Sequence, residues 1–211
     1  MEENKFTGHD SLELIAQMIQ QSKKNMKVGN GNILLHYGYM ALMLSVVVYL
    51  LLCWTDNPVW SALWFLMFMP SIWIGLQKKG SKARIITHMD KAIGNTWNIL
   101  GWLFFLTVIG ITVFVYFTGD YYCFALMLPL SLLYAGIGVA IMGVITEFKL
   151  MVYTPLVAFA VAIYMLALMV TGTVVVVADW WNLLFGLSFL IMMIIPGHVL
   201  NCKMKELCRK N

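Results

Sequence analysis

Six side chains of this sequence have the chemistry for a site and stand at the ends of long aliphatic runs: His36, Asn95, Asn98, Glu147, His198 and Asn201. A carboxylate with two imidazoles could hold a metal or pass a proton, and an asparagine amide offers a small polar ligand both donors and an acceptor. Their spacing follows no catalytic pattern, because HExxH, a paired-carboxylate motif and a Ser/His/Asp arrangement are all missing. Cys53, Cys123, Cys202 and Cys208 make no CxxC and have no histidine at metal-ligand spacing. No catalytic, cofactor-binding or metal-ligating residue is therefore expected, and two readings of the six remain: a shallow pocket, or a set of helix caps.

The elements that must position these residues are membrane spans. The chain has 211 residues, of which 61% are hydrophobic and 11% charged, against about 25% charged in an ordinary soluble domain. A spanning helix needs about 20 predominantly apolar residues. Six runs qualify, at about 33–53, 58–76, 97–118, 121–146, 150–177 and 180–201. Short connections at 54–58, 118–120 and 178–182 pair them, so the expected fold is all-α and polytopic, with six transmembrane helices as three hairpins. The polar opening residues lack the pattern of a cleaved secretory signal, so the first span is expected to be retained.

All 14 Lys and Arg residues fall in the N-terminal segment, the 77–95 loop, the Glu147–Lys149 turn and the 202–211 tail. The other three turns carry Asp56, Asp120 and Asp179. Positive charge stays on the cytoplasmic side, which predicts cytoplasmic termini. Trp54, Trp60, Tyr121, Tyr122, Trp180 and Trp181 gather beside the acidic turns, and such rings favour the opposite interface.

Residues 1–32 read as a cytoplasmic unit ahead of the 33–201 membrane domain. Asp10 can cap a helix and Glu13 reach back to the cap amide, which predicts a helix over 11–28. Leu12, Ile15, Ile19 and Met26 form its apolar stripe, with Lys23, Lys24 and Lys27 nearby, so it can dock on a partner or lie among lipid headgroups. Gly29-Asn30-Gly31-Asn32 is predicted to end this helix and act as a hinge. The basic 77–95 loop suits headgroups or an acidic protein, and nucleic acid is not expected as a partner.

The mid-span neighbourhoods contain Thr107, Tyr134 and Tyr164 among Leu, Met, Val and Phe, and no ionisable carboxylate, amine or imidazole lies there. Ala135, Gly136, Ala140, Gly143, Ala158 and Ala162 are small enough for close helix contact. Pro196 has no amide hydrogen, so it is expected to loosen the last span near Met192 and Met193. His198, two residues on, is expected to pair with Glu147 or His36.

The segments SLELIAQMIQQSKKNM, GNGN and IPGHVLN together resemble a group of uncharacterised small multi-pass membrane proteins of Bacteroidota-type bacteria. The resemblance implies a bacterial inner-membrane protein and carries over no functional residue. The expected function is non-enzymatic: presentation of the cytoplasmic helix and basic loop to a protein partner, a second copy or the lipid bilayer. A permease or channel for a small neutral or lipophilic molecule is the alternative, and a membrane-embedded enzyme the third reading.

Overall fold

The computed structural model describes residues 8–55, 57–69, 88–119, 121–171 and 180–209. Early in the first helix, side chains are described at Glu13, at Asn32 and from Leu34 onward. Among these residues the chain is all-helical: α1 Gly8–Thr55, a 3-10 helix Pro58–Phe68, α2 His88–Thr118, a 3-10 turn Tyr121–Leu126, α3 Met127–Ile145, α4 Lys149–Tyr153, α5 Pro155–Val170, α6 Trp180–Phe189, a π turn Leu190–Ile194, and α7 Ile195–Arg209. Five stretches are long and apolar enough to cross a membrane: Leu34–Thr55, Lys91–Thr118, Cys123–Ile145, Lys149–Val170 and Trp180–Lys203. The chain is a multi-pass membrane protein, and its outer surface meets the lipid bilayer. The remaining expected span, 58–76, is described only as far as residue 69, and its first part is 3-10 rather than α.

The first helix differs from the expected one. α1 runs unbroken for 48 residues through Gly29, Asn30, Gly31 and Asn32, where a hinge was expected. Glycine and asparagine cost helix stability, each by roughly 0.5–1 kcal/mol. Propagation through them is nonetheless favoured once helix exists on both sides, because nucleation is the costly step. The last residue of the quartet, Asn32, is also held by side chains, one from its own helix and one from α7. The Asn32 carbonyl accepts from His36 Nδ1 at 2.6 Å, and Asn201 Nδ2 donates to Asn32 Oδ1 at 3.1 Å.

Neighbouring elements pack antiparallel. Trp97 of α2 lies over Gly138 of α3, and further along Thr107 Oγ1 is 2.9 Å from the Tyr134 hydroxyl. Gly143 of α3 faces the backbone of Met151 in α4, where a Cβ would come within 2.7 Å, while Gly136 faces the Phe159 ring. Ala158 and Ala162 are fully buried in the same packing. Tyr164 of α5 meets Trp180 of α6, and the Lys203 ammonium lies 5.2 Å from the centre of the Phe148 ring. The long first helix packs along α6 and α7: Ser45 meets Asn182, and Asn32 meets Asn201. Leu132, Val139, Met151, Met165 and Met192 fill the centre with no measurable exposure.

The α3–α4 connection is a Schellman turn. Phe148 N–H donates to the Gly143 carbonyl at 2.9 Å and Glu147 N–H to the Val144 carbonyl at 3.2 Å. Glu147 takes φ 53, the left-handed region where glycine is the usual residue.

Candidate functional site

The last span carries the irregularity that its proline requires. Pro196 is buried and cannot donate to Met192, so the helix widens one turn earlier into the π segment Leu190–Ile194. The Ile195 amide reaches back five residues to the Leu190 carbonyl. This puts the strain where Met192, Met193 and Ile194 are all buried against the bundle. Beyond it Pro196 and Leu200 stay buried, while His198 meets α1.

His198 pairs with neither of its expected partners. Its Nε2 lies 2.6 Å from the Tyr39 hydroxyl, with the rings edge to face at 6.0 Å and 77°. The hydroxyl donates to a bare Nε2, or a protonated Nε2 donates to the phenol oxygen, as the tautomer dictates. His36 instead turns back on its own helix to the Asn32 carbonyl. Asn32, His36 and Tyr39 recur at four and three residues on α1, and His198 and Asn201 at three on α7. These spacings keep each set on one helix face, so two polar contacts, Asn32–Asn201 and Tyr39–His198, clamp the two helices at points about two turns apart on α1 and about one turn apart on α7.

The other members of the six stand elsewhere. Asn95 and Asn98 are exposed near the start of α2, on the side away from α3. Glu147 is exposed in its left-handed turn. No three His, Cys, Asp or Glu side chains converge among the described residues, so His36, Glu147 and His198 form no common centre. Two of the six, His198 and Asn201, thus make the α1–α7 clamp, His36 bonds its own helix beside it, and the other three stand elsewhere. The stripe Leu12, Ile15, Ile19 and Met26 lies on α1 at positions whose side chains are outside the described residues. Asp56, Asp120 and Asp179 also lie outside them, as does the basic loop up to residue 87; its last part, from His88, is already helical in α2.

A second polar node escaped the sequence reading. Ser45, 1% exposed near the middle of the first span, donates to the Asn182 carbonyl at 2.7 Å. Trp64 Nε1 donates to Asn182 Oδ1 at 3.2 Å, and its ring packs edge to face on Phe185 at 4.7 Å. Gly186 closes the node, since a methyl there would overlap Ser45 Oγ. The available signal was a serine and a glycine in otherwise large-residue stretches. Trp181, assigned to the interface with the other aromatics, is instead 1% exposed in the core, while Trp54, Trp60 and Trp180 are exposed. An amphipathic ring at a span end can face either way, and here α6 turns Trp181 inward.

Comparison with protein-family models, with curated proteins and with solved structures finds no match for this chain.

Proposed function

We propose that this chain is a non-enzymatic membrane anchor that holds a rigid helical projection on the cytoplasmic side and presents it to a protein partner. The observation that carries this is the continuity of α1 from Gly8 to Thr55, with its span beginning only at Leu34. Residues 8–33 therefore extend the spanning helix by roughly 39 Å at 1.5 Å per residue. A helix without a break at its exit from the membrane has no point at which to turn flat into the headgroup layer. This favours a protein over lipid as the occupant of the Leu12, Ile15, Ile19 and Met26 stripe. The clamp to α7 fixes the base of the projection. The filled centre of the bundle counts against the permease reading.

Six crossings and co-located termini belong to the same proposal. The antiparallel neighbours give α3 and α6–α7 one direction, and α1, α2 and α5 the other. With α1 and α2 aligned, the chain between Thr55 and His88 recrosses the bilayer. Trp64 supports this, because it packs back along the start of α6 at Asn182 and Phe185. The lysine and arginine distribution then supports cytoplasmic ends, and the resemblance supports a bacterial inner membrane.

The test is purification from native membranes in mild detergent, comparing the natural chain with one carrying Ile15→Asp and Ile19→Asp. A stoichiometric protein that copurifies with the first and is lost from the second supports the proposal. Recovery of lipid alone with both overturns it.

A further inference from the structure

The projecting part of α1 carries its lysines and its apolar stripe on the half that continues the buried face of the span. Leu34, Ala41 and Val48 recur one heptad apart and are 3%, 0% and 0% exposed. Leu34 and Ala41 belong to the same buried cluster as Met151 and Leu200, so this meridian of α1 faces the bundle. Met43 and Leu50, 65% and 57% exposed, mark the far side. Because α1 is one helix from Gly8 to Thr55, the meridian carries on past the span. At 3.6 residues per turn, Lys23, Lys24 and Lys27 stand within roughly 80° of the Leu34 line, and Leu12, Ile15, Ile19 and Met26 within roughly 100°. Gln21 falls on the opposite half.

The stripe and the lysines therefore form a wall over the end of the bundle. The floor below it is the end of α7 and the α3–α4 turn: Asn201 meets Asn32 at the base of the wall, and Lys203 lies over the Phe148 ring. Lys149 and Lys203 are exposed on the floor, beside the exposed Glu147. Beyond Lys203, α7 adds Lys205, Glu206 and Arg209, so positive charge exceeds negative throughout the corner. The acidic residues of the projection, Asp10 and Glu13, stand near its far tip. The connection that leads into α2 carries Lys78, Lys79, Lys82 and Arg84 and is no electrostatic complement to the wall.

We infer that the corner between the projection and the end of the bundle is the docking site of an acidic protein segment, which lays apolar side chains on the stripe and carboxylates against the lysines. This rests on the reading of α1 as a projection presented to a protein, and it assigns that protein a place and a charge. Anionic headgroups meet the lowest of the same lysines, but the headgroup layer is only about 5–8 Å deep on each side. Met26 stands about 12 Å beyond Leu34 along the helix, and Leu12 about 33 Å. A protein reaches both wall and floor, and a lipid does not. Exposed ion pairs contribute little each, so the stripe supplies affinity while the lysines select the partner and its orientation.

The test places photo-reactive benzoylphenylalanine in the full chain, in native membranes, at Ile19 on the wall, at Lys149 on the floor, or at Gln21 on the opposite half. One protein is expected at both Ile19 and Lys149, linked through a peptide of net negative charge, and absent at Gln21. About 0.5 M NaCl, where the Debye length is roughly 4 Å, should lower its yield several-fold. Changing Lys23, Lys24 and Lys27 together to Glu should lower the yield at Ile19 roughly tenfold, and changing them to Gln by less. Circular dichroism checks that helix content is kept, and the Gln variant decides the matter if the Glu variant loses it. A protein linked at Ile19 but not at Lys149, linked through a neutral or basic peptide, or indifferent to the lysine changes overturns this inference and leaves presentation to a protein standing. Phospholipid adducts alone at Ile19, or links there to residues 77–87 of the chain itself, overturn both.

Discussion

Tyr39 and His198 touch at 2.6 Å across 159 residues of sequence, and the contact ties the first membrane span to the last. It works with Asn32–Asn201 as a two-point clamp where the projecting part of α1 begins. Tyr39→Phe and His198→Leu should each lower stability in detergent, by about 0.5–1.5 kcal/mol. The double variant should lose less than the sum, because the second change removes a partner that is already gone. Thermal unfolding followed by tryptophan fluorescence across the four proteins checks this. Strict additivity would mean that the contact does not form.

The node around Ser45 predicts a rescue. Gly186→Ala forces a methyl onto Ser45 and should destabilise the chain by about 1–3 kcal/mol, the usual range for overpacking. Ser45→Gly in the same chain removes both the hydroxyl and the Cβ that the methyl strikes, and should recover part of the loss. Thermal midpoints of the three variants decide it. A double variant less stable than Gly186→Ala alone would contradict the proposed close approach of α1 to α6.

Glu147 occupies a backbone conformation that suits glycine. Glu147→Gly and Glu147→Val both remove the carboxylate, so whatever the side chain touches is lost equally in the two. Their difference isolates the backbone. Glu147→Gly should be the more stable, by about 1–2 kcal/mol, the cost of left-handed geometry for a residue with a Cβ. Chemical or thermal unfolding in detergent measures the gap, and equal stabilities would exclude the left-handed turn.

What was legible in the chain follows from which forces act locally. Apolar run length located the five described spans, with eight of their ends within two residues and the others at Lys91 against 97 and Val170 against 177, because a bilayer tests each segment almost independently. Pro196 announced a disturbed last span, since a missing amide hydrogen has its effect on its own helix. The partner of His198 was not legible. Tyr39 sits in an ordinary apolar run, and only the register between α1 and α7 brings it to the imidazole. Gly29 to Asn32 read as a hinge on composition, and tertiary capture of Asn32 by Asn201 opposes that preference. Trp181 read as an interface ring because burial depends on which neighbour a helix face meets. Asn95 and Asn98 read as members of the polar cluster for the same reason, and α2 turns them outward.

Electron-electron distance measurement between spin labels at Glu13→Cys and Val46→Cys, in a chain otherwise free of cysteine and reconstituted in nanodiscs, tests the central claim most directly. Both positions lie on α1, on either side of the Gly/Asn quartet. One unbroken helix predicts a single narrow distance of about 50 Å, at 1.5 Å per residue. A broad distribution, or a maximum well short of that length, would mean that the helix bends at Gly29 to Asn32 and would contradict a rigid projection.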